Sequence, residues 1–249
     1  MLLANRRGGY HFLMGIDPYS CGVVADPGYE VVHATMRAPL PWREGFEKID
    51  SHLREIGRPR HALCGVELRS PTPYSMEGFI EFNVGYCDLV QSWDLYVGDL
   101  NPVARTNVAP ADSPPAGPVL HGFSYTAPEM QDAPMTFVVA GAAELREAAL
   151  DEDDIIRRGE SGPDALREKA GHVIGIMESR LHGLGASWEL VTAIDVYTVF
   201  LLEGLLEDSV LPKIGVAGRH GLCWSRARPP VLGLDFEMDM RGVRSEVKL

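Results

Sequence analysis

The chain has 249 residues, enough for one large domain or two of about 125 residues that each bury a core. Its 23 Lys and Arg against 35 Asp and Glu give a formal net charge of −12, which argues against nucleic acid as a partner because phosphate binding needs clustered cations. No apolar run reaches the ~18 residues of a membrane span, and the first residues lack the apolar core of a signal peptide. We therefore expect a cytoplasmic protein with no membrane partner.

The four cysteines are widely spaced and form neither a CxxC motif nor a Cys/His ligand pattern. They are Cys21, Cys64, Cys87 and Cys223. We expect reduced, mostly buried thiols and no metal site.

The first half of the chain alternates strand-like and helix-like segments. Apolar residues at helical spacing follow a β-branched run, and Ser75 can cap the second helix. The Pro-rich stretch 109–118 is interpreted as a loop before the last strand. The predicted order is strand 29–36, helix 43–57, strand 61–69, helix 76–93 and strand 119–127.

The second half repeats this order with a different sequence. Asp164 can cap the clearest helix of the chain, which two glycines end, and a β-branched and aromatic run follows. The predicted order is strand 135–142, helix 165–185, strand 191–200, a helix around 201–216 and strand 231–240. The matching order predicts a tandem duplication of one α+β module, with a first module at 1–130 and a second at 131–249.

Several segments of the first half resemble, in order, the landmarks of the Rid family, the reactive-intermediate deaminases. They are IDPYSCGV, GYEVVHATM, GFIEFNVGY and NPVARTNV, and LDFEMDMRGV in the second half resembles the family's last strand. The resemblance implies a tandem pair of Rid-like, chorismate-mutase-like modules, each an antiparallel sheet with two helices packed on one face. It also implies a homotrimer with sites in clefts between modules.

Among Rid-like proteins, a two-module acidic chain resembles the aminomuconate deaminases, including forms that act on chlorinated 2-aminomuconate. The resemblance implies a cofactor-independent hydrolase that converts this enamine/imine dicarboxylate to the 2-oxo acid and ammonia. The alternative is a non-catalytic Rid-like protein that binds a ligand or a partner, because a fold alone does not fix a function.

Arg105, in PVARTNV, matches the family's arginine that binds a substrate carboxylate. A guanidinium offers a planar pair of donors that lysine cannot reproduce. Without the resemblance, Arg105 reads as a surface arginine after a proline.

Tyr19 and Asn83 match family positions at the border of the pocket, which implies contact with the substrate. Alternatively, Tyr19 shapes a turn after Pro18, and Asn83 satisfies a helix end. Glu237 matches the family's strand carboxylate that positions water or transfers a proton. Alternatively, it belongs to the solvated face of an alternating strand whose apolar residues are buried.

The two halves depart from the family in complementary ways. The first half has His121 and Gly122 where the carboxylate belongs, and the second half has no clean arginine match. One alignment points to Arg228 as a substrate-binding residue, and another points to the neighbourhood of residues 219–220. We therefore predict one kind of working site, in which Arg105 and Glu237 come from different modules.

Overall fold

The computed structural model describes residues 1–129, 133–146 and 151–249. Its strands are β1 Leu2–Asn5, β2 Tyr10–Leu13, β3 Gly22–Ala25, β4 Tyr29–Pro41, β5 Leu63–Arg69, β6 Ala104–Pro110, β7 Val119–Pro128, β8 Phe137–Ala143, β9 Ala193–Tyr197, β10 Cys223–Ser225, β11 Ala227–Arg228, β12 Glu237–Gly242 and β13 Ser245–Lys248. Its α-helices are α1 Trp42–Glu55, α2 Met76–Ser92, α3 Pro163–Gly183 and α4 Leu211–Ile214. The predicted mixture of helices and strands is confirmed.

The strands form two sheets. The first sheet has the order β1-β2-β3-β8-β12-β9-β10, and the second has the order β11-β6-β5-β7-β4-β13. Each sheet therefore takes strands from both sides of residue 130. The predicted boundary between residues 130 and 131 lies outside the described residues and stays a prediction.

Two sets of four strands share one connection pattern. In the second sheet, β5 pairs with β6 in parallel and with β7 antiparallel, and β7 pairs with β4 antiparallel. In the first sheet, β9 pairs with β10 in parallel and with β12 antiparallel, and β12 pairs with β8 antiparallel. The topology is therefore the same in the two sets. Because each set contains one parallel pair, the predicted antiparallel sheet is wrong for β6 and β10.

The helices cover the outer faces of the sheets. Helices α1 and α2 pack on the second sheet, and α3 packs on the first, each around its own apolar core. A third cluster lies between the two sheets, where Phe12 and Val23 meet Cys64 and Ala104. The order of layers is helix, sheet, sheet, helix, and polar side chains on the inner faces of the sheets are held away from water.

Local signals predicted several elements well. Ser75 caps α2, and its hydroxyl oxygen accepts a hydrogen bond from the Gly78 backbone N–H at 3.1 Å. Strand β5 falls within the predicted 61–69, and residues 111–118 connect β6 to β7 as the predicted loop. All four cysteines are free.

Other expectations were wrong. Helix α3 begins at Pro163 with Gly162 at the cap, so Asp164 lies inside the first turn, where it pairs with Arg167. The segment 201–216 has no continuous helix, because it changes from a π-turn to the short α4 and then to a 3₁₀ turn. Of the cysteines only Cys64 is buried.

Among the described residues, no helix combines the length and the hydropathy needed to cross a membrane.

Candidate active site

A cavity of about 290 Å³ opens where the edge of the second sheet meets the first. Its wall comes from the loop between β2 and β3, strand β6, the end of β8, helix α3 and the segment that leads into β12. Tyr19, Arg105 and Glu237 all contribute to this wall. The fold therefore brings together three residues that the sequence singled out, although they lie far apart along the chain.

Arg105 is on β6 and is only 3% exposed. Its Nη2 donates a hydrogen bond to Asn83 Oδ1 at 2.7 Å, and its guanidinium carbon lies 4.6 Å from the ring centres of both Tyr19 and Tyr86. Its Nη1 is buried and has no hydrogen-bond partner among the described residues. The guanidinium is therefore held firmly and retains donor capacity for an anion.

Asn83 and Tyr19 contact Arg105 from two different parts of the chain, helix α2 and the loop before β3. Asn83 lies in the middle of α2 and not at its end, so the helix-end alternative does not hold. Tyr19 is half-buried in the loop before β3, and loss of water around its hydroxyl raises its pKa although Arg105 opposes the shift. A protonated Tyr19 can stack on the cation and still offer a hydroxyl to a ligand.

Glu237 is the first residue of β12 and is 3% exposed. Burial, and secondarily the nearby Asp239 carboxylate, raises the pKa of Glu237 well above its ordinary range, while Arg69 and Arg180 act in the opposite direction. Its Oε2 has no hydrogen-bond partner among the described residues. A protonated carboxyl group on the wall of a cavity is suited to act as a general acid.

The alternation of β12 is real, but its polar face is not solvated. Phe236, Met238 and Met240 belong to the core beneath α3, whereas Glu237 and Asp239 are both buried on the opposite face. The second sheet covers this face, since the Thr106 side chain of β6 hydrogen-bonds the Asp239 side chain and accepts a hydrogen bond from the Gly141 N–H of β8. The solvated-face alternative for Glu237 is therefore wrong.

Gly141 allows this close approach. A Cβ atom at Gly141 would lie 2.3 Å from Glu237 Oε1 and 3.1 Å from the Thr106 side chain. The Gly141 N–H donates to Thr106 Oγ1 at 3.1 Å, which joins β8 to β6. The absence of a side chain at residue 141 leaves the room that the Glu237 carboxyl group occupies.

Arg228 lies outside this wall. It is exposed on β11, opposite Ala109 of β6, and its Nη1 is 4.0 Å from Asp235 Oδ1. Residues 219–220 lie in an exposed 3₁₀ turn and do not line the cavity either. The structure thus offers no support for the predicted role of Arg228, because its side chain is exposed and does not line the cavity, although Pro230 and Val231 do.

Three further polar residues of the wall were missed. Arg180 of α3 is buried and donates to the carbonyl oxygens of Ala140 and Gly141, at 2.9 and 3.3 Å. Asn107 Oδ1 accepts a hydrogen bond from the Ser70 hydroxyl at 2.9 Å, and Arg146 lies at the end of the wall segment after β8. Strand alternation from Arg105 could have indicated Asn107.

The arrangement suits an anionic ligand and proton transfer. Three arginines face the cavity, and the carboxyl group of Glu237 is favoured in its neutral form. Over the described part of the chain, no group of three or more His, Cys, Asp or Glu side chains is arranged to hold a metal ion. The residues present can bind a carboxylate and exchange a proton nearby.

Comparison with known proteins gives a family match along almost the whole chain. The family described as 2-aminomuconate deaminase CnbZ matches residues 2–247. A 2-amino-5-chloromuconate deaminase from Comamonas testosteroni is 41% identical over 244 residues, which cover 97% of this chain and 96% of that protein.

Solved structures give more distant similarities. A chorismatase is 12% identical, with 90% of this chain and 77% of that chain covered and a TM-score of 0.49. A RidA from the Antarctic bacterium Psychrobacter sp. PAMC 21119 is 15% identical, with 44% of this chain and 80% of that chain covered and a TM-score of 0.33. Neither similarity bears on the chemistry of the cavity.

Proposed function

Because this chain belongs to the 2-aminomuconate deaminase family, we propose that it is a hydrolytic deaminase of 2-aminomuconate or a chlorinated relative. The products are the 2-oxo acid and ammonia. One observation carries the proposal: Arg105 of β6 and the buried Glu237 of β12 line the same cavity. The family relationship favours this function over a non-catalytic binding protein.

Arg105 binds the carboxylate next to the carbon that bears nitrogen. Its Nη1 lacks a partner among the described residues, while Asn83 fixes Nη2 and the rings of Tyr19 and Tyr86 hold the plane of the guanidinium. A planar pair of donors matches a carboxylate and also withdraws electron density from the adjacent carbon. Asn83 and Tyr19 therefore position Arg105, and the Tyr19 hydroxyl borders the substrate.

Glu237 supplies the proton that ammonia needs in order to leave. In the imine tautomer of the substrate, the oxygen of water adds to the C=N carbon, and the π electron pair moves to nitrogen, which takes a proton from Glu237. The Glu237 carboxylate then accepts a proton from the added oxygen. Glu237 then gives this proton to the nitrogen, the C–N bond breaks and ammonia leaves, and the hydroxyl proton returns to the Glu237 carboxylate as the oxygen becomes the carbonyl of the 2-oxo acid.

Metal or organic cofactors have no part in this proposal, because Arg105 and Glu237 supply the charge stabilisation and the proton transfer. We expect turnover to survive exhaustive dialysis against a chelator. Loss of activity on chelation, with recovery on adding one metal, would overturn this part of the proposal.

The fold supports a finer assignment to tandem Rid-like modules. The order β6-β5-β7-β4 repeats as β10-β9-β12-β8 with the same sense of each pairing. Each set packs a helix on its outer face. Duplication of one module, followed by loss of the carboxylate from the first copy and of the arginine from the second, explains why the second half lacks a match to Arg105.

Ammonia release from freshly generated 2-aminomuconate tests the function. The enzyme rate is measured above a buffer blank, which records any uncatalysed hydrolysis, and above the Glu237→Gln variant at equal concentration. We expect stoichiometric ammonia and 2-oxo acid with the native chain. A rate equal to the blank, with the ligand still bound, would indicate the non-catalytic alternative.

A further inference from the structure

The cavity holds arginines at different depths. Arg105 and Arg180 are 3% and 8% exposed, whereas the Arg146 side chain is 63% exposed. All three line the same cavity. Two cations therefore lie at the base of the cavity, and the third lies at its mouth.

The backbone holds Arg146 in place, and its guanidinium makes no hydrogen bond within the described part of the chain. Its backbone N–H donates to the Asp154 carbonyl at 3.2 Å, and the adjacent Leu145 forms a bridge with Ile155. Its Nη1 is 3.6 Å from Asp154 Oδ1, longer than a hydrogen bond. The ion pair orients the side chain and leaves its donors available to an anion.

Apolar side chains line the same cavity as the three arginines. They are Phe79, Leu145, Ile176, Val231 and Leu234. Such a wall excludes water from a hydrocarbon chain and offers it no hydrogen bonds. An elongated ligand with a polar group at each end and carbon between them matches this pattern.

We propose that Arg146 binds the distal carboxylate of the substrate and selects dicarboxylates over monocarboxylates. The inference rests on the proposed function, in which Arg105 takes the carboxylate next to the reacting carbon. Ordinary bond lengths separate the two carboxyl carbons of an extended six-carbon diacid by roughly 6 Å. Arg180 donates to two backbone carbonyls, so Arg146 is the cation whose donors the second carboxylate engages.

Two ligands of the same shape test this assignment by calorimetry. All-trans muconate is a six-carbon chain with two double bonds whose two end carbons are carboxylates, and sorbate has a methyl group in place of one carboxylate. We expect the native chain to bind muconate about tenfold more tightly than sorbate, which is the usual order for a charge-assisted contact near a surface. In Arg146→Gln this ratio should fall to about twofold while the affinity for sorbate is unchanged.

A matched control comes from the same acidic segment. Arg158 pairs with Glu152 and Asp153 and is not part of the cavity wall, so Arg158→Gln should keep the native ratio. Arg105→Lys should weaken both ligands together, because both present the proximal carboxylate. A ratio in Arg146→Gln equal to the native ratio would overturn the assignment.

The binding ratio separates this inference from the proposed reaction. No ammonia release by a native chain that still prefers muconate, with a preference lost in Arg146→Gln, would reject the reaction and retain the distal contact. Ammonia release by a native chain that binds muconate and sorbate equally would reject the distal contact and retain the reaction.

Discussion

Arg105 Nη2 donates to Asn83 Oδ1 at 2.7 Å, and this hydrogen bond joins strand β6 to the middle of α2. Both residues are buried. The bond fixes the rotation of the guanidinium plane between the rings of Tyr19 and Tyr86. The orientation of the Arg105 guanidinium is therefore fixed before a ligand binds.

Arg105→Lys should retain the fold and lose most of the activity. A lysine keeps the positive charge but offers neither the planar pair of donors nor the stacking area. We expect kcat/KM to fall by about 10²-fold or more, in line with loss of a bidentate charged contact. The measurement is steady-state ammonia release, with thermal unfolding as the control for folding. Near-normal turnover in a folded variant would remove Arg105 from the mechanism.

Gly141→Ala should displace the Glu237 carboxyl group. The new Cβ would lie 2.3 Å from Oε1, and Thr106 blocks the alternative direction. We expect at least a tenfold loss of kcat with an unfolding free energy reduced by about 1–3 kcal/mol, the usual range for an overpacked interior. Both are measured on the purified variant, by ammonia release and by denaturant unfolding.

Gly171→Ala is the matched control for that substitution. Gly171 is exposed within α3, and its Cβ would meet nothing within 4 Å. Alanine in a helix interior stabilises by about 0.5–1 kcal/mol relative to glycine. We expect unchanged turnover and a slightly higher melting temperature. Equal losses of activity at residues 141 and 171 would show that the effect does not come from contact with Glu237.

Asp239→Asn should move the pH profile to lower pH. Burial raises the pKa of Glu237 most, and Asp239 and then Glu144 raise it further, whereas Arg69 and Arg180 lower it. If protonated Glu237 is the acid, activity falls as pH rises through this pKa. Removal of the neighbouring carboxylate lowers the pKa, so the alkaline limb of kcat/KM shifts to lower pH.

Asp208→Asn provides the comparison for the pH profile. Asp208 is exposed and pairs with Arg167 on the outer face of α3, so its removal should leave the alkaline limb in place. An alkaline limb that moves upward in Asp239→Asn, or does not move at all, would contradict the role of Glu237 as the acid.

The sequence predicted the elements whose signals are local. The Ser75 cap, strand β5 and the apolar residues of β12 all appear where the pattern indicated. The prediction for the segment 201–216 was wrong because its apolar residues have helical spacing. A continuous helix is interrupted there by Gly204, with φ of 74°, and by Gly215, with φ of 53°. Apolar periodicity does not report such breaks.

The candidate site depended on a different kind of information. The resemblance to a family singled out Arg105 and Glu237, whereas no local pattern could indicate that β6 and β12 meet across two sheets. Arg180 was overlooked because a helical arginine usually faces water, and burial of its guanidinium depends on the carbonyls of β8. Arg228 was selected by alignment alone, and its exposed side chain is not part of the cavity wall.

The chain should assemble as a homotrimer. The resemblance to the Rid family implies a threefold arrangement of modules, so the number of modules must be a multiple of three. Each chain supplies two modules, and three chains therefore form the smallest closed assembly. Light scattering should then give roughly 82 kDa, three times the 27.3 kDa of one chain. A lone monomer at assay concentration would count against the threefold arrangement and leave the cavity within one chain as the working site.

Arg105→Ala and Glu237→Gln should not add their effects. Arg105 comes from the first half of the chain and Glu237 from the second, yet they line one cavity and act on one substrate carbon in the proposed mechanism. Groups that act as a unit are non-additive, so the double variant should lose little more activity than the worse single variant.

Glutamine is a fair test at residue 237 because it resembles the protonated carboxyl group in shape and neutrality, and the variant should unfold near the native temperature. The four rates are compared as a double-mutant cycle on ammonia release. Losses that multiply fully would mean that the two residues serve independent steps or separate sites, and the composite active site would have to be abandoned.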